Sequence, residues 1–315
     1  MELDAPVLCL TGATATGKSE VGIELARARA AEVVCCDALT VYRGVSILTA
    51  KPIAPADVPH RLIDLVEPFE SYSAGRFVHD ADEAIAHART RRGDAIVVGG
   101  TALYLRVFRT GLGPVVGRDD ALRRDLEAFH EDAGPGALWK RLHALDPARA
   151  AQLHENDVRR LIRALEITAT TGRPASAQRD EWDGPERRRT IVVELVRGEA
   201  DLARRIDVRT RRMIEAGVVD EVARLAADPR GISKELAQSI GFKDALERHA
   251  GRIDDAELFA RIARATRRFS KRQGTFFRGF RALHRVEVAP DADAAAIARA
   301  VEATISRLGE GRPYA

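Results

Sequence analysis

A phosphate-binding loop close to the amino terminus constrains the fold of this chain more than any other feature. The loop fits the P-loop pattern, and its residues are Gly12, Ala13, Thr14, Ala15, Thr16, Gly17, Lys18 and Ser19. An apolar run at residues 7–10 precedes the loop, and a helical stretch at residues 18–30 follows it. Because a strand, a glycine-bearing turn and a helix occur in the required order, we predict that this loop binds phosphate groups.

The chemistry of the loop favours a diphosphate ligand. Its glycines let the backbone wrap around the anion, and amide N–H groups at the start of the helix point toward it. Lys18 adds a mobile cation, and the hydroxyl of Ser19 can hold Mg²⁺. We therefore predict a diphosphate site with Mg²⁺ as its cofactor and Ser19 as a metal ligand.

Three further apolar runs, at residues 33–36, 95–98 and 190–196, alternate with helical stretches. This alternation predicts an α/β fold of the P-loop NTPase-like kind, with a doubly wound, mostly parallel sheet. Asp37 and Thr101 each lie just past a predicted strand, as Gly12 does. Since ligands of such folds bind beyond the carboxyl ends of the strands, we expect these three residues to converge on one crevice.

The strand pattern stops in the middle of the chain, between about residues 115 and 189, where only helical segments remain. We interpret residues 115–189 as a helical insertion domain and assign residues 1–114 and 190–315 to the P-loop core. Helical patterns at residues 201–277 and 291–308 then form the carboxyl-terminal part of that core.

Composition limits the setting in which the protein works. A length of 315 residues allows one large core with a smaller second domain, and 45% apolar with 31% charged residues is ordinary for a soluble protein. The three cysteines form no CxxC pair, which favours a reducing compartment. With neither a signal peptide nor a membrane span in the pattern, we expect a cytoplasmic protein that does not bind membranes, with a monomer as the default.

A phosphate loop by itself also fits a kinase. Such enzymes usually hold Mg²⁺ through an acidic residue at the end of another core strand. Here the run at residues 95–98 ends in Gly99 and Gly100, without a carboxylate. Asp37 is the acid at an early strand end, and it can be a metal ligand, a base for an acceptor nucleophile or a helix cap.

Further segments follow the loop along the chain, at residues 37–44, 49–52, 58–64, 71–73, 99–104, 156–166, 239–243 and 266–278. Taken in this order with the loop, they resemble the tRNA dimethylallyltransferase family of P-loop prenyltransferases. The resemblance runs from about residue 8 to residue 280. It implies a bacterial-type enzyme that transfers a dimethylallyl group from dimethylallyl diphosphate to N6 of the adenosine at tRNA position 37, on the 3′ side of the anticodon.

The resemblance also implies roles for individual residues. The loop would bind the diphosphate of dimethylallyl diphosphate, and Lys18 with Mg²⁺ would neutralise the departing diphosphate. Asp37 would be the general base that takes the proton from N6, and Thr101 would lie beside the reacting centre. These three residues are therefore the expected catalytic residues, and the anticodon stem-loop is the expected partner.

Four positions depart from the common pattern of the family. Ala38 stands in place of serine, Thr40 in place of glutamine, Leu48 in place of glycine and Phe276 in place of tryptophan. The residues with expected catalytic roles are kept, so we still expect activity, with rate and acceptor preference most open to change.

Two helical stretches carry basic residues away from their apolar stripes, at residues 156–168 and 258–271. Each could be a solvated face of an arginine-rich protein, but two such faces beside a diphosphate site favour tRNA phosphates. The predicted tRNA-contacting residues are Asp37, Ala38, Leu39, Thr40, Thr101, Arg123, Arg159, Arg160, Arg163, Lys271 and Arg272.

The sequence leaves three other functions open. A relative that prenylates free adenine nucleotides would need no extended basic surface. A small-molecule kinase would need the acid that is missing after residue 98. A non-catalytic RNA-binding protein with a degenerate pocket is conceivable because Ala38 has no hydroxyl.

Overall fold

The computed structural model describes residues 5–91, 93–111, 119–177, 186–280 and 283–309. The chain divides into two compact units, one made of Met1–Arg109 with Arg188–Ala315 and the other of Thr110–Arg187. The insertion expected at residues 115–189 falls almost entirely in the second of these units.

The first unit contains a parallel sheet. Within the described residues its strands are β1 (Val7–Gly12), β2 (Ala31–Cys35), β3 (His60–Arg61), β4 (Asp94–Val98), β5 (Thr190–Arg197) and β6 (Leu283–Val288). The strand order is β3-β2-β4-β1-β5-β6, and every neighbouring pair is parallel. The predicted α/β fold is confirmed, and the strand that leads into the phosphate loop lies inside the sheet, between β4 and β5.

Helices connect and cover these strands. In the described residues they are α1 (Lys18–Ala28), α2 (Ala74–Arg91), α3 (Ala102–Thr110), α4 (Asp120–Ala133), α5 (Ala137–Leu145), α6 (Pro147–Ala150), α7 (Val158–Thr171), α8 (Glu199–Glu215), α9 (Val218–Ala226), α10 (Lys234–Ala237), α11 (Phe242–His249), α12 (Asp255–Arg278) and α13 (Ala294–Gly309). None of the described helices has both the length and the apolar character needed to cross a membrane.

Alternating side chains of the strands supply two separate cores, one on each face of the sheet. Val7 and Cys9 of β1 lie in the core that includes residues of α2, α3, α9, α11 and α12. Leu8 and Leu10 lie in the core that includes residues of α1 and α13. Because successive residues of a strand point to opposite faces, an uninterrupted apolar run is what a strand buried on both faces requires.

The sequence did not predict β3 and β6, the two edge strands. β3 has only two residues, and β6 alternates polar with apolar residues, so that only Val286 and Val288 are buried. Edge strands bury less of their surface and therefore lack the continuous apolar run by which the inner strands were recognised.

The second unit contains helices α4 to α7 and a short 3-10 helix at Ala175–Ala177. Its own core is made of leucines and other apolar residues of these helices, among them Leu126, Leu142, Leu161 and Leu165. The leucines of α7 follow the apolar stripe that the sequence indicated, with Arg159 and Arg160 exposed beside them.

Candidate active site

The phosphate loop joins the carboxyl end of β1 to the start of α1. Gly12 ends the strand with φ 148°, and a Cβ atom there would lie 2.7 Å from the carbonyl oxygen of Leu195. Gly17 caps α1 in the left-handed conformation, with φ 94°. A side chain at Gly12 would collide with the backbone of β5, and one at Gly17 would be strained, which accounts for both glycines of the motif.

Lys18 turns back over the loop. Its Nζ donates to the carbonyl oxygen of Ala13 at 3.3 Å, and the hydroxyl of Thr16 donates to the same oxygen at 2.9 Å. Burial lowers the pKa of Lys18 to about 8; Asp37 opposes that shift and Arg209 adds to it. The lysine therefore lies within the electrostatic reach of both Asp37 and Arg209.

The ends of β2 and β4 bring Asp37 and Thr101 together. The amide of Thr101 donates to the carbonyl oxygen of Cys36 at 3.3 Å, and the amide of Ala38 donates to Thr101 Oγ1 at 3.1 Å. Since Thr101 Oγ1 accepts this bond, its own hydrogen can be donated to a ligand. The expected convergence of Asp37 and Thr101 at one edge of the sheet is present in the structure.

The carboxylate of Asp37 is held by backbone amides of its own loop. Its Oδ1 accepts from the amide of Leu39 at 2.9 Å and from that of Thr40 at 3.4 Å. This Asx-type turn fixes the direction of the carboxylate through one oxygen. A side chain at Ala38 takes no part in either bond, so the missing hydroxyl leaves this arrangement in place.

The glycine pair after β4 replaces the acid that a kinase would carry. A Cβ atom at Gly99 would overlap the backbone carbonyl of Cys36. A Cβ atom at Gly100 would lie 2.8 Å from Nε2 of Gln273 and 3.2 Å from Cε of Lys18. The close packing of the strand ends thus excludes a carboxylate side chain at positions 99 and 100.

Gln273 of α12 links the phosphate loop to this glycine pair. Its Nε2 donates to the carbonyl oxygen of Gly100 at 2.8 Å, and its Oε1 accepts from the amide of Thr14 at 2.9 Å. The side chain is 6% exposed. The sequence pattern predicted no role for this glutamine, which follows two basic residues. Its partner Thr14 lies 259 positions away along the chain, and a bond between such distant residues leaves no local sequence pattern.

Arginines from β5 and α8 surround the same loop, and the sequence pattern did not predict them. Arg197 donates to the carbonyl oxygen of Thr16 at 2.8 Å, and Arg205 donates to that of Ala15 at 2.9 Å. Arg209 reaches the hydroxyl of Thr14 at 3.1 Å. The sequence does contain a signal that could have indicated two of them. Arg205 and Arg209 lie four residues apart in a helix that directly follows a predicted strand, so they share one face of that helix.

A buried glutamate anchors a second loop beside these arginines. Glu221 in the first turn of α9 accepts from the amides of Ser46, Ile47 and Leu48 at 2.8 to 2.9 Å. The carbonyl oxygen of Thr49, the next residue, lies 3.5 Å from Nη2 of Arg209. The loop at residues 46–49 is thereby fixed next to the arginine that contacts the phosphate loop.

In the helical unit, the basic residues divide into paired and exposed groups. Arg123 and Arg163 bind the carboxylate of Glu166, at 2.7 and 2.6 Å, and the amide of Asp119 donates to the same carboxylate at 2.8 Å. Burial opposes ionisation of Glu166, but these bonds outweigh it and hold its pKa at about 2. Arg159 is exposed.

The remaining basic residues predicted to meet tRNA lie on α12. Lys271 and Arg272 are exposed, immediately before the buried Gln273. Lys271 forms an ion pair with Glu199 at 2.6 Å, and Arg272 lies over the ring of Phe269. Surface pairs of this kind contribute little to stability, so both cations can exchange partners at small cost.

Comparison with known proteins assigns the family. The IPP transferase family model matches residues 40–280. A tRNA dimethylallyltransferase of Halorhodospira halophila is 42% identical over 285 residues, which is 88% of this chain and 91% of that relative. The chain belongs to the tRNA dimethylallyltransferase family. It is therefore a prenyl-transferring enzyme by descent, as the order of its motifs predicted.

Solved structures of the tRNA dimethylallyltransferase family share the fold of this chain. The tRNA isopentenylpyrophosphate transferase from Bacillus halodurans is 32% identical, with a TM-score of 0.67 over 97% of this chain and 98% of that one. A eukaryotic dimethylallyltransferase described as acting on tRNA is 26% identical, with a TM-score of 0.78 over 98% of this chain and 81% of that one.

The positions that depart from the common family pattern have different environments. Thr40 is 5% exposed, and its buried hydroxyl has no hydrogen-bond partner among the described residues. Leu48 is also buried and packs in the core beside Gly241. Ala38 and Leu39 are partly buried against the same core, and the ring of Phe276 is covered by Arg106 at 4.9 Å. The replacements at Thr40 and Leu48 are therefore buried, whereas those at Ala38 and Phe276 are only partly buried.

The residues around the phosphate loop fit a magnesium ion. Ser19, the second residue of α1, offers a hydroxyl oxygen, and Asp37 offers a carboxylate at the same edge of the sheet. Mg²⁺ prefers oxygen ligands and usually completes its shell with substrate phosphates and water. The donor set is thus suited to Mg²⁺ bound together with a diphosphate.

Proposed function

We propose that this protein transfers the dimethylallyl group of dimethylallyl diphosphate to N6 of the adenosine that follows the anticodon of a tRNA, and releases diphosphate. The observation that carries the proposal is the arrangement at the strand ends. A phosphate loop with Lys18 stands beside Asp37 and Thr101, which hydrogen-bond to one loop segment, and Gly99 occupies the place of a kinase acid.

The diphosphate end of the donor is bound by the phosphate loop. Backbone amides at the start of α1, with Lys18 and Arg209, provide positive charge where charge accumulates as the allylic C–O bond breaks. Mg²⁺, held through the Ser19 hydroxyl, supplies further neutralisation of the departing diphosphate when it is bound. Binding energy at this end is therefore realised most strongly as the bond breaks.

Asp37 and Thr101 act on the acceptor. The amine of adenine is a weak nucleophile, so its placement against the allylic carbon contributes much of the rate. As the N6–C bond forms, one N6 proton passes to the oxygen of Asp37 that is not engaged by Leu39 and Thr40. The hydroxyl of Thr101, fixed by the amide of Ala38, donates to the acceptor or to a phosphate oxygen.

The target base must leave its stack to reach this edge of the sheet. The anticodon stem-loop is then held by Ala38, Leu39 and Thr40 near the base and by exposed cations that meet phosphates. Arg159 and Arg160 on α7 and Lys271 and Arg272 on α12 are the strongest candidates, because all four are exposed. The helical unit thus contributes to tRNA binding. We also propose that the enzyme works in the cytoplasm and as a monomer.

The test is the transfer of label from dimethylallyl diphosphate, with Mg²⁺, to three acceptors. They are an anticodon stem-loop with adenosine 3′ to the anticodon, the same stem-loop without that adenosine, and free AMP. We expect label in the first alone. Label in AMP would assign the protein to nucleotide prenylation, and stem-loop binding without any transfer would make it an RNA-binding protein.

A further inference from the structure

The outer side of the phosphate loop is held by two arginines that the proposed reaction does not use. Arg205 donates from Nε to the carbonyl oxygen of Ala15 at 2.9 Å, and Arg197 donates from Nε to that of Thr16 at 2.8 Å. In a planar trans peptide the carbonyl and the following N–H point in opposite directions. Two carbonyls of the loop are thereby turned to the arginines, and the amides that follow them are turned to the opposite side.

Ala15 has an unusual backbone conformation. Its φ is 66°, in the left-handed region, although it is not a glycine. A side chain in this region makes the conformation roughly tenfold less populated than it is for glycine. Such residues persist where the surrounding structure holds them, and they cluster where ligands are bound. The group that binds the carbonyl of Ala15 itself is the guanidinium of Arg205.

We propose that Arg205 is a positioning residue, which keeps Ala15 in its left-handed conformation so that the loop is ready for diphosphate before the ligand arrives. This inference rests on the proposed function, because it takes diphosphate as the ligand of the loop. Without Arg205 the loop relaxes, and part of the binding free energy is used to restore its shape.

The neighbouring arginines have different tasks. Arg209 contacts the hydroxyl of Thr14 and lies within electrostatic reach of Asp37, so it faces the site. Arg197 also forms a buried ion pair with Asp201 at 2.8 Å and donates to the carbonyl oxygen of Ala289, so its loss would disturb the core. Arg205 is therefore the arginine whose action on the loop can be tested separately.

A double-mutant cycle between Arg205→Met and Ala15→Gly tests the inference. The probe is inorganic diphosphate with Mg²⁺, titrated by calorimetry against the full-length chain. We expect Arg205→Met to weaken binding about tenfold in the natural background, since one charge-assisted hydrogen bond is lost. In the Ala15→Gly background, where glycine adopts the left-handed conformation without penalty, the same change should cost about threefold or less.

Two further variants make the cycle specific. Arg204→Met removes a charge from the same helix at an exposed position that pairs with Asp201, and it should change diphosphate binding less than about twofold. Arg205→Lys, which can still donate to the Ala15 carbonyl, should retain most of the affinity and covers the case in which the methionine variant does not fold.

The outcomes separate the role of Arg205 from the proposed reaction. An equal loss in the natural and the Ala15→Gly backgrounds would mean that Arg205 binds the anion directly, and an unchanged affinity would mean that it has no role in the loop; either result overturns the inference. If the cycle shows the expected coupling while the natural protein transfers no label from dimethylallyl diphosphate, the inference stands and the proposed function fails.

Discussion

Two carboxylates, Asp37 in the sheet unit and Glu166 in the helical unit, interact differently with the basic side chains around them. Glu166 is fully buried, and its oxygens accept from Arg123, Arg163 and a backbone amide. Asp37 accepts through one oxygen from backbone amides, while Lys18 and Arg209 act on it electrostatically.

This difference separates a structural carboxylate from a chemical one. Charge-assisted bonds engage both oxygens of Glu166 and hold its pKa at about 2. At Asp37 an oxygen remains for a substrate proton, and the cations next to it are held to loop oxygens, ready for an anion. Cations of the helical unit that bind Glu166 stabilise the fold, whereas Lys18 and Arg209 at the phosphate loop can bind a ligand.

The largest effect is expected at Asp37. Asp37→Asn keeps an oxygen that can accept from Leu39 and Thr40 but removes the base. We expect kcat to fall by about 10²- to 10⁴-fold, the usual contribution of a positioned general base, with little change in stem-loop affinity. Single-turnover transfer of label measures the rate, and filter binding measures the affinity. Unchanged turnover would remove Asp37 as the base and with it the contrast to Glu166.

At Glu166 the expected loss is in stability. Glu166→Gln weakens the bonds to Arg123 and Arg163, and we expect the free energy of unfolding to fall by roughly 2 kcal/mol. Glu131→Gln, at an exposed position on α4, is the matched control and should change stability little. Urea denaturation of the full chain, followed by circular dichroism, measures both.

The effect of Glu166 should depend on pH with a known sign. Its folded-state pKa of about 2 lies below the ordinary value of 4.5, so its contribution is complete above pH 4.5 and is lost as the pH falls toward 2. The stability difference between the natural protein and Glu166→Gln should therefore shrink between pH 5 and pH 3. A difference that stays constant over this range would contradict the assignment.

Lys18 should give the loop a pH dependence of its own. With a pKa of about 8 in the free protein, its ammonium is charged at pH 7 and largely neutral at pH 9. We expect the affinity for inorganic diphosphate to fall roughly tenfold between these pH values, relative to Lys18→Arg, whose guanidinium stays charged. A constant ratio of the two affinities would show that Lys18 keeps its proton in the free loop.

The smallest effects are expected at the exposed arginines of α7. Arg159→Gln should weaken stem-loop binding a few-fold and lower the salt dependence of log K by about one, while the midpoint of thermal unfolding stays the same. Arg123→Gln should lower the stability and change the salt dependence of binding less, because Arg123 binds Glu166.

Arg252→Gln, at an exposed residue of the sheet unit, is the control and should change neither the stability nor stem-loop binding appreciably.

Most of the fold and part of the site could be predicted because their signals are local. The inner strands appear as continuous apolar runs, and the phosphate loop appears as a contiguous motif at the end of one of them. The partners of that loop could not be found in this way. Gln273 and Arg209 lie 259 and 195 positions from Thr14, and no spacing rule connects residues so far apart.

The same limit applies to arginines that look alike in sequence. Arg159 and Arg163 lie one turn apart on α7, yet one is exposed and the other binds the buried Glu166. The helical period places both arginines beside the apolar stripe. Only Arg163 lies close enough to the buried Glu166 to form an ion pair with it, and this contact makes the two arginines different.

The sequence by itself determined the inner strands of the sheet, the phosphate loop and the two strand ends that carry Asp37 and Thr101, since each follows from the properties of adjacent residues. Only the tertiary structure decided which distant side chains complete the site. Arg205, Arg209 and Gln273 reach the loop because parallel strands align their carboxyl ends and the helices that follow pack over them. The reason is that polar side chains form hydrogen bonds with whichever chain segments the fold brings next to them. The local pattern of residues does not predict which distant segments come together.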